Sequence, residues 1–142
     1  VRVVADETSN VEFVAADLLS QAEHGTDSQV LLISTSESVA VRVSEEIDRQ
    51  LAVLPRRDIA ARSLENSLCI IAHDGCEAME ISNAYAPEHL VIATEYYDVL
   101  ADKVVNAGSV FLVNTHARVP ETMRAAPTIH CLPMVMPWLT TE

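Results

Sequence analysis

Along the first 113 positions the apolar residues follow two alternating rhythms. Five short runs are nearly all apolar: Val1–Ala5, Gln29–Thr35 (QVLLIST), Leu68–Ala72 (LCIIA), His89–Ala93 (HLVIA) and Ser109–Val113 (SVFLV). Runs of that length predict strands covered on both faces. Between them the apolar positions recur at helical spacing. Val11, Val14, Ala15, Leu18, Leu19 and Ala22 make one stripe, and Ser9 followed three residues later by Glu12 predicts a capping box at its start. Gly25 is expected to close this helix where a positive φ costs glycine little. Ser36 is a candidate cap for a second helix whose inner face is Val39, Val43, Ile47 and Leu51. Beyond the Pro55 break, Ile59, Ala60 and Leu64 mark a short helix over Arg56–Glu65. Ala78, Ile81, Ser82 and Tyr85 mark another, ended by Pro87. Glu95–Asn106 reads as the last helix, stopped by Gly108.

Strands alternating with amphipathic helices predict an α/β fold, a parallel sheet of about five strands with helices on both faces. No linker or repeat interrupts residues 1–113, which form one segment. The character then changes. Residues 114–142 carry prolines at 120, 127, 133 and 137 without a clear period, so they are set apart as an irregular tail in which no element is expected.

Composition narrows the classes. At 142 residues, 49% hydrophobic and 21% charged, the chain suits a single globular core rather than a disordered polymer. No run approaches the roughly 18 apolar residues a membrane span needs, which argues against a membrane partner. A net charge of −12 argues against nucleic acid, because phosphates repel such a surface. Cys69, Cys76 and Cys131 form no CxxC and leave one thiol over from any disulfide pair. Reduced structural thiols and a cytoplasmic setting are expected. Val1-Arg2-Val3-Val4 shows neither an initiator Met nor a signal-peptide pattern, as at a fragment edge.

Two constellations could carry chemistry. Gln21 and His24 lie three apart at the end of the first predicted helix, hence on one face. Imidazole is a good zinc donor and an amide oxygen a poor one, while a His in a last turn also serves the helix dipole. Pro87-Glu88-His89 precedes the fourth strand. His is a natural general base near neutral pH and a carboxylate can activate a water, yet neighbours on a strand point to opposite faces. Spacing alone leaves both pairs open. His73, before Asp74-Gly75, reads as a turn residue, and His116 and His130 fall in the tail. There is no GxGxxG among only three glycines, so no cofactor-binding residue for a dinucleotide is assigned in this chain.

The segment VRVVADETSNVEFVAADLLSQAEHGTDSQVLLIST, followed at fitting intervals by NAYAPEHL and NAGSVFL, resembles the central part of histidinol dehydrogenases. The resemblance is dense over residues 1–112 and covers about a third of a family member. It implies an incomplete Rossmann-like half of a larger domain. It also implies an NAD-dependent two-step oxidation of L-histidinol to L-histidine in a zinc-containing homodimer. Gln21 and His24 match two zinc ligands that also meet the substrate, His89 the group that takes the alcohol proton, and Glu88 the substrate-side group that activates water. The family's NAD-contacting segment would lie upstream of Val1. Two rivals remain. One is a catalytically incompetent fragment or degenerate product of the family. The other is an unrelated receiver- or flavodoxin-type domain, which would need an acidic cluster or phosphate loop at the strand ends; neither is evident.

The tail departs from the family's GDYxSGTNH-type motif. Ungapped register places Thr122 where that motif has its zinc-binding Asp, Met123 for the Tyr and Ile129 for the His, with His130 one place off. Reading the message two bases further along restores GDYASGTNHTLPTYGYA, with Gly and the final Ala forced by the single Met codons at 134 and 136. Residues 113–142 are therefore read as the product of a frameshift, a mis-called exon boundary or a degenerate gene, with true divergence as the alternative. Sequencing the transcript across codons 110–125 is expected to reveal a shifted frame, and a well-supported unshifted one would overturn that reading.

Overall fold

The computed structural model of the chain describes residues 1–113, 124–126 and 136–137, the last two segments by backbone alone. Five strands, β1 (Arg2–Ala5), β2 (Leu31–Ser34), β3 (Leu68–Ile71), β4 (His89–Ala93) and β5 (Ala107–Leu112), run parallel in the order β5-β4-β1-β2-β3. The chain lays β2 and β3 on one side of β1, then crosses back to place β4 on its other side. Because crossovers are right-handed, that reversal sends the later helices to the opposite face. Helices α1 (Val11–Ala22), α2 (Glu37–Leu51) and α3 (Arg57–Glu65) cover one face, and α4 (Gly75–Tyr85) and α5 (Tyr97–Ala101) the other.

Each face has its own core. Val3 and Ala5 pack with Val14, Leu18, Val43 and Ile47, whereas Val4 packs with Ala78, Met79, Ile81 and Leu100. The predicted α/β architecture with two covered faces is therefore the observed one.

Several local expectations are corrected. The cap of α1 is Asn10, whose side chain accepts from the Glu12 and Phe13 N–H groups; Ser9 is not the capping residue. Ser9 is buried and works across the sheet, accepting from the Asp6 N–H and donating to the Ala93 carbonyl at the end of β4. Ser36 occupies the N-cap position of α2 without a capping bond, its hydroxyl meeting Ser38 and Glu7 instead. Gly25 has no positive φ: α1 ends at Glu23 in right-handed geometry, and the His24 N–H bonds the Gln21 carbonyl.

The largest difference is α5, which spans Tyr97–Ala101 rather than Glu95–Asn106. The Asn83 side chain explains it. Its carbonyl oxygen accepts from the Val105 and Asn106 N–H groups and its amide donates to the Lys103 carbonyl, capturing backbone groups that a longer helix would use itself. Gly108 consequently lies inside β5 instead of stopping a helix. The tail is also not without order: β6 (Arg124–Ala126) pairs antiparallel with β5, and β7 (Met136–Pro137) with β3. His116, Thr122, Met123, Ile129, His130 and Cys131 lie outside the described residues.

The two N-terminal polar residues should separate in a urea titration. Asn10→Ala removes a helix cap and is expected to cost about 1 kcal/mol. Ser9→Ala strands a buried donor and a buried acceptor and is expected to cost more, about 1–3 kcal/mol. The reverse order would contradict the assignment of the cap.

Candidate functional site

Parallel strands give the sheet two unlike edges. At the amino edge, α1 comes to its end just before β2, and β4 begins. The structure thus brings Gln21, His24, Glu88 and His89 to the same edge. Gln21 is half-buried and His24 exposed, one turn apart at the close of α1. His89 opens β4 half-buried, its ring 5.9 Å from that of Phe111. By strand alternation His89 shares a face with Val91 and Ala93, which pack into the core that α1 covers. Glu88, one residue earlier, is exposed.

The turn carrying Glu88 and His89 is held from several sides. Helix α4 ends at Ala86 in the left-handed region (φ 48°, ψ 66°), with its N–H on the Ser82 and Asn83 carbonyls. The following Pro87 disfavours right-handed helix for Ala86, so the chain turns out instead of continuing. On the next strand the Gly108 N–H donates to the Pro87 carbonyl (2.9 Å) and the Ser109 N–H to the Glu88 carbonyl (2.7 Å). The Asn106 side chain donates to the Asn83 carbonyl, completing a clamp between the end of α4 and the start of β5. Arg2 adds a further contact, its guanidinium 4.2 Å above the ring of Tyr85, the last residue of α4.

Sequence reasoning found the side chains at this edge and missed what holds them. Asn83 and Asn106 carry no role in the sequence reading and Gly108 only that of a helix stop, although two asparagines next to apolar runs are a signal once they prove buried. Gly108 is glycine because a Cβ there would sit 2.7 Å from the Glu88 carbonyl oxygen and 3.3 Å from its Cα.

Among the described residues, no group of three or more His, Cys, Asp or Glu side chains gathers as metal ligands. Gln21 and His24 therefore supply at most two donors, short of the four that a closed zinc site uses. Cys69 is half-buried, and burial pushes its thiol up to about 11, so it stays protonated and inert at neutral pH. His73 is exposed beside Asp74, which caps α4 through the Cys76 and Glu77 N–H groups.

The carboxyl edge, where open α/β sheets usually hold ligands, is different in character. A pocket of about 160 Å3 opens there, at the point between β1 and β4 where the strand order reverses. The connections around it carry Asp6, Glu7, Asp74 and Glu95, the first turns of α2 and α5 add Glu37 and Asp98, and neither Lys nor Arg stands among them. Acidic residues are frequent near these strand ends, but among the described residues no three of them converge. The first β–α turn, Asp6–Ser9, lacks glycine, and Asn10 already occupies the first amides of α1. The first amides of α1 are thus taken by a side chain, while Ser36 makes no capping bond to those of α2.

Gly108→Ala tests the hold on Glu88. The new methyl meets backbone that cannot move aside, so a loss of about 1–3 kcal/mol is expected in urea unfolding. Shifts of the Glu88 and His89 amide resonances should accompany it; unchanged stability and resonances would refute the close approach.

Comparison with known proteins meets this geometry from outside. The family model for histidinol dehydrogenase matches residues 1–135, running past Leu112 into the stretch set apart above as a departing tail. The histidinol dehydrogenase of Bacteroides thetaiotaomicron is 57% identical over 135 residues, 94% of this chain and 31% of the relative. That of Campylobacter jejuni (strain RM1221) is 51% identical with the same coverage. The chain thus spans about a third of the length of these relatives. The crystal structure of histidinol dehydrogenase from Elizabethkingia anophelis superposes with a TM-score of 0.78 at 48% identity, over 80% of this chain and 26% of that one. No helix among the described residues is long and apolar enough to cross a membrane. In sequence and in fold, this chain belongs to the histidinol dehydrogenase family.

Proposed function

We propose that this chain carries the acid–base half and part of the metal-binding half of an oxidoreductase that converts L-histidinol to L-histidine with NAD, in the cytoplasm and within a homodimer. The observation that supports the reading is that two motif-bearing elements lie at the same edge of the sheet. The end of α1, with Gln21 and His24, and the start of β4, with Glu88 and His89, open on the same side.

In this reading His89 takes the hydroxyl proton of histidinol as the carbinol carbon gives up a hydride to NAD, leaving an aldehyde. Glu88 then activates the water that hydrates the aldehyde. The hydrate loses a second hydride to a second NAD and leaves as the carboxylate. Rigid support of the turn matters because proton transfer requires a base held within hydrogen-bond reach of its proton. Zinc, when bound, would fix the substrate's amine and imidazole nitrogens. Gln21 and His24 would be two of its ligands, and the others would come from outside the described residues. The chain carries no GxGxxG among its three glycines, so NAD would be held by a segment other than 1–113.

A second reading is favoured by those same two donors and by Thr122 standing where the family's Asp is expected: the chain alone is catalytically incompetent. Both readings are tested together. The purified 142-residue chain, supplied with zinc, NAD and histidinol, is expected to form no NADH. A chimera carrying residues 1–112 in place of the matching segment of the Bacteroides thetaiotaomicron enzyme is expected to be active. His89→Asn in that chimera should lower kcat by roughly 10²–10⁴-fold, the usual contribution of a general base. Turnover by the isolated chain would refute the second reading, and an inactive but folded chimera, or a harmless His89→Asn, would refute the first.

A further inference from the structure

Main-chain bonds from β5 fix the backbone at Glu88 and His89, but they do not orient the His89 ring. Among the described residues no hydrogen bond or ion pair reaches either nitrogen of that imidazole. A histidine side chain has two torsions of its own, and a fixed backbone leaves several staggered rotamers open. What the ring does meet is another ring. The Phe111 phenyl lies with its centroid 5.9 Å from that of the imidazole, tilted by 55°.

Phe111 has little other employment in the fold. It belongs to neither core and stays 36% exposed. Val110 and Leu112, on either side of it, pack into the core beneath α4 and α5. Strand alternation therefore turns Phe111 to the opposite face, the one His89 shares with Val91. In register Phe111 pairs with Val91, and Ser109 pairs with His89. Ser109 is small, so the space beside the imidazole falls to Phe111, whose ring reaches diagonally from one pair to the other. Tilted aromatic rings at this separation attract. An attraction made in one rotamer and lost in the others selects that rotamer.

We infer that Phe111 is a positioning residue for His89, its ring selecting the imidazole rotamer from which the substrate's hydroxyl proton is taken. The inference rests on the reading of His89 as the base, because Phe111 acts through that side chain. Main-chain bonds locate the base, and the neighbouring ring aims it.

Two measurements separate the aiming from the base itself. In the 142-residue chain, three-bond couplings from the backbone nitrogen and carbonyl carbon to His89 Cγ report its χ1 populations. They are expected to show one rotamer in the parent and in Phe111→Tyr, and an averaged mixture in Phe111→Ala. Phe111→Leu, apolar but without a ring, should be averaged as well. All three variants should stay folded by circular dichroism, since Phe111 lies outside both cores. In the chimera with the Bacteroides thetaiotaomicron enzyme, Phe111→Ala should lower kcat about tenfold or more with KM little changed, and Phe111→Tyr should restore most of it. A single His89 rotamer in Phe111→Ala would overturn the inference alone. So would an unchanged kcat there beside an impaired His89→Asn, or a Phe111→Tyr as slow as Phe111→Ala. A harmless His89→Asn would instead remove the base, and the inference with it.

Discussion

Everything in this fold follows from β1 having both faces dry. Val3, Val4 and Ala5 are fully buried, with successive side chains entering opposite cores. A strand placed so must have parallel neighbours on each side to satisfy its backbone, and helices above and below to exclude water. Right-handed crossovers can supply both only by reversing direction after β3. The reversal puts β4 beside β1. It also creates the crevice at one edge and lines up the end of α1 with the start of β4 at the other.

These two edges divide the chemistry. At the amino edge lie the end of α1, with Gln21 and His24, and the start of β4, where main-chain bonds from β5 hold the turn carrying Glu88 and His89. At the carboxyl edge the loops are short and acidic, and Asn10 and Asp74 cap the first amides of α1 and α4. The fold provides a place for a ligand, and the residues there decide which ligands are admitted.

Much of the architecture was legible in the sequence because burial writes itself into periodicity. The stripe from Val11 to Ala22, the inner face Val39–Val43–Ile47 and the strand His89–Ala93 appear where the pattern placed them. Two of the errors share a cause, a bond to a residue distant along the chain. Ser9 looks like a cap locally but is claimed by Ala93, 84 positions away. Residues 102–106 look helical locally but are claimed by Asn83. Local pattern cannot see either competitor. The site residues were legible only as candidates, since a strand start and a helix end give no sign in sequence of which edge they share.

The clamp around Asn83 changes what the motifs mean. NAYAPEHL and NAGSVFL look like strings of reactive residues, yet most of their letters are mechanical. Asn83 and Asn106 join the end of α4 to β5, Ala86 turns the chain out of the helix, and Gly108 lets two backbones approach. Only Glu88 and His89 are left with a free hand. The two motifs are then a single device, and their separation in sequence is the length of one helix and its turns. The positions of these two side chains are set here by main-chain bonds from the next strand. Those bonds fix where Glu88 and His89 leave the backbone.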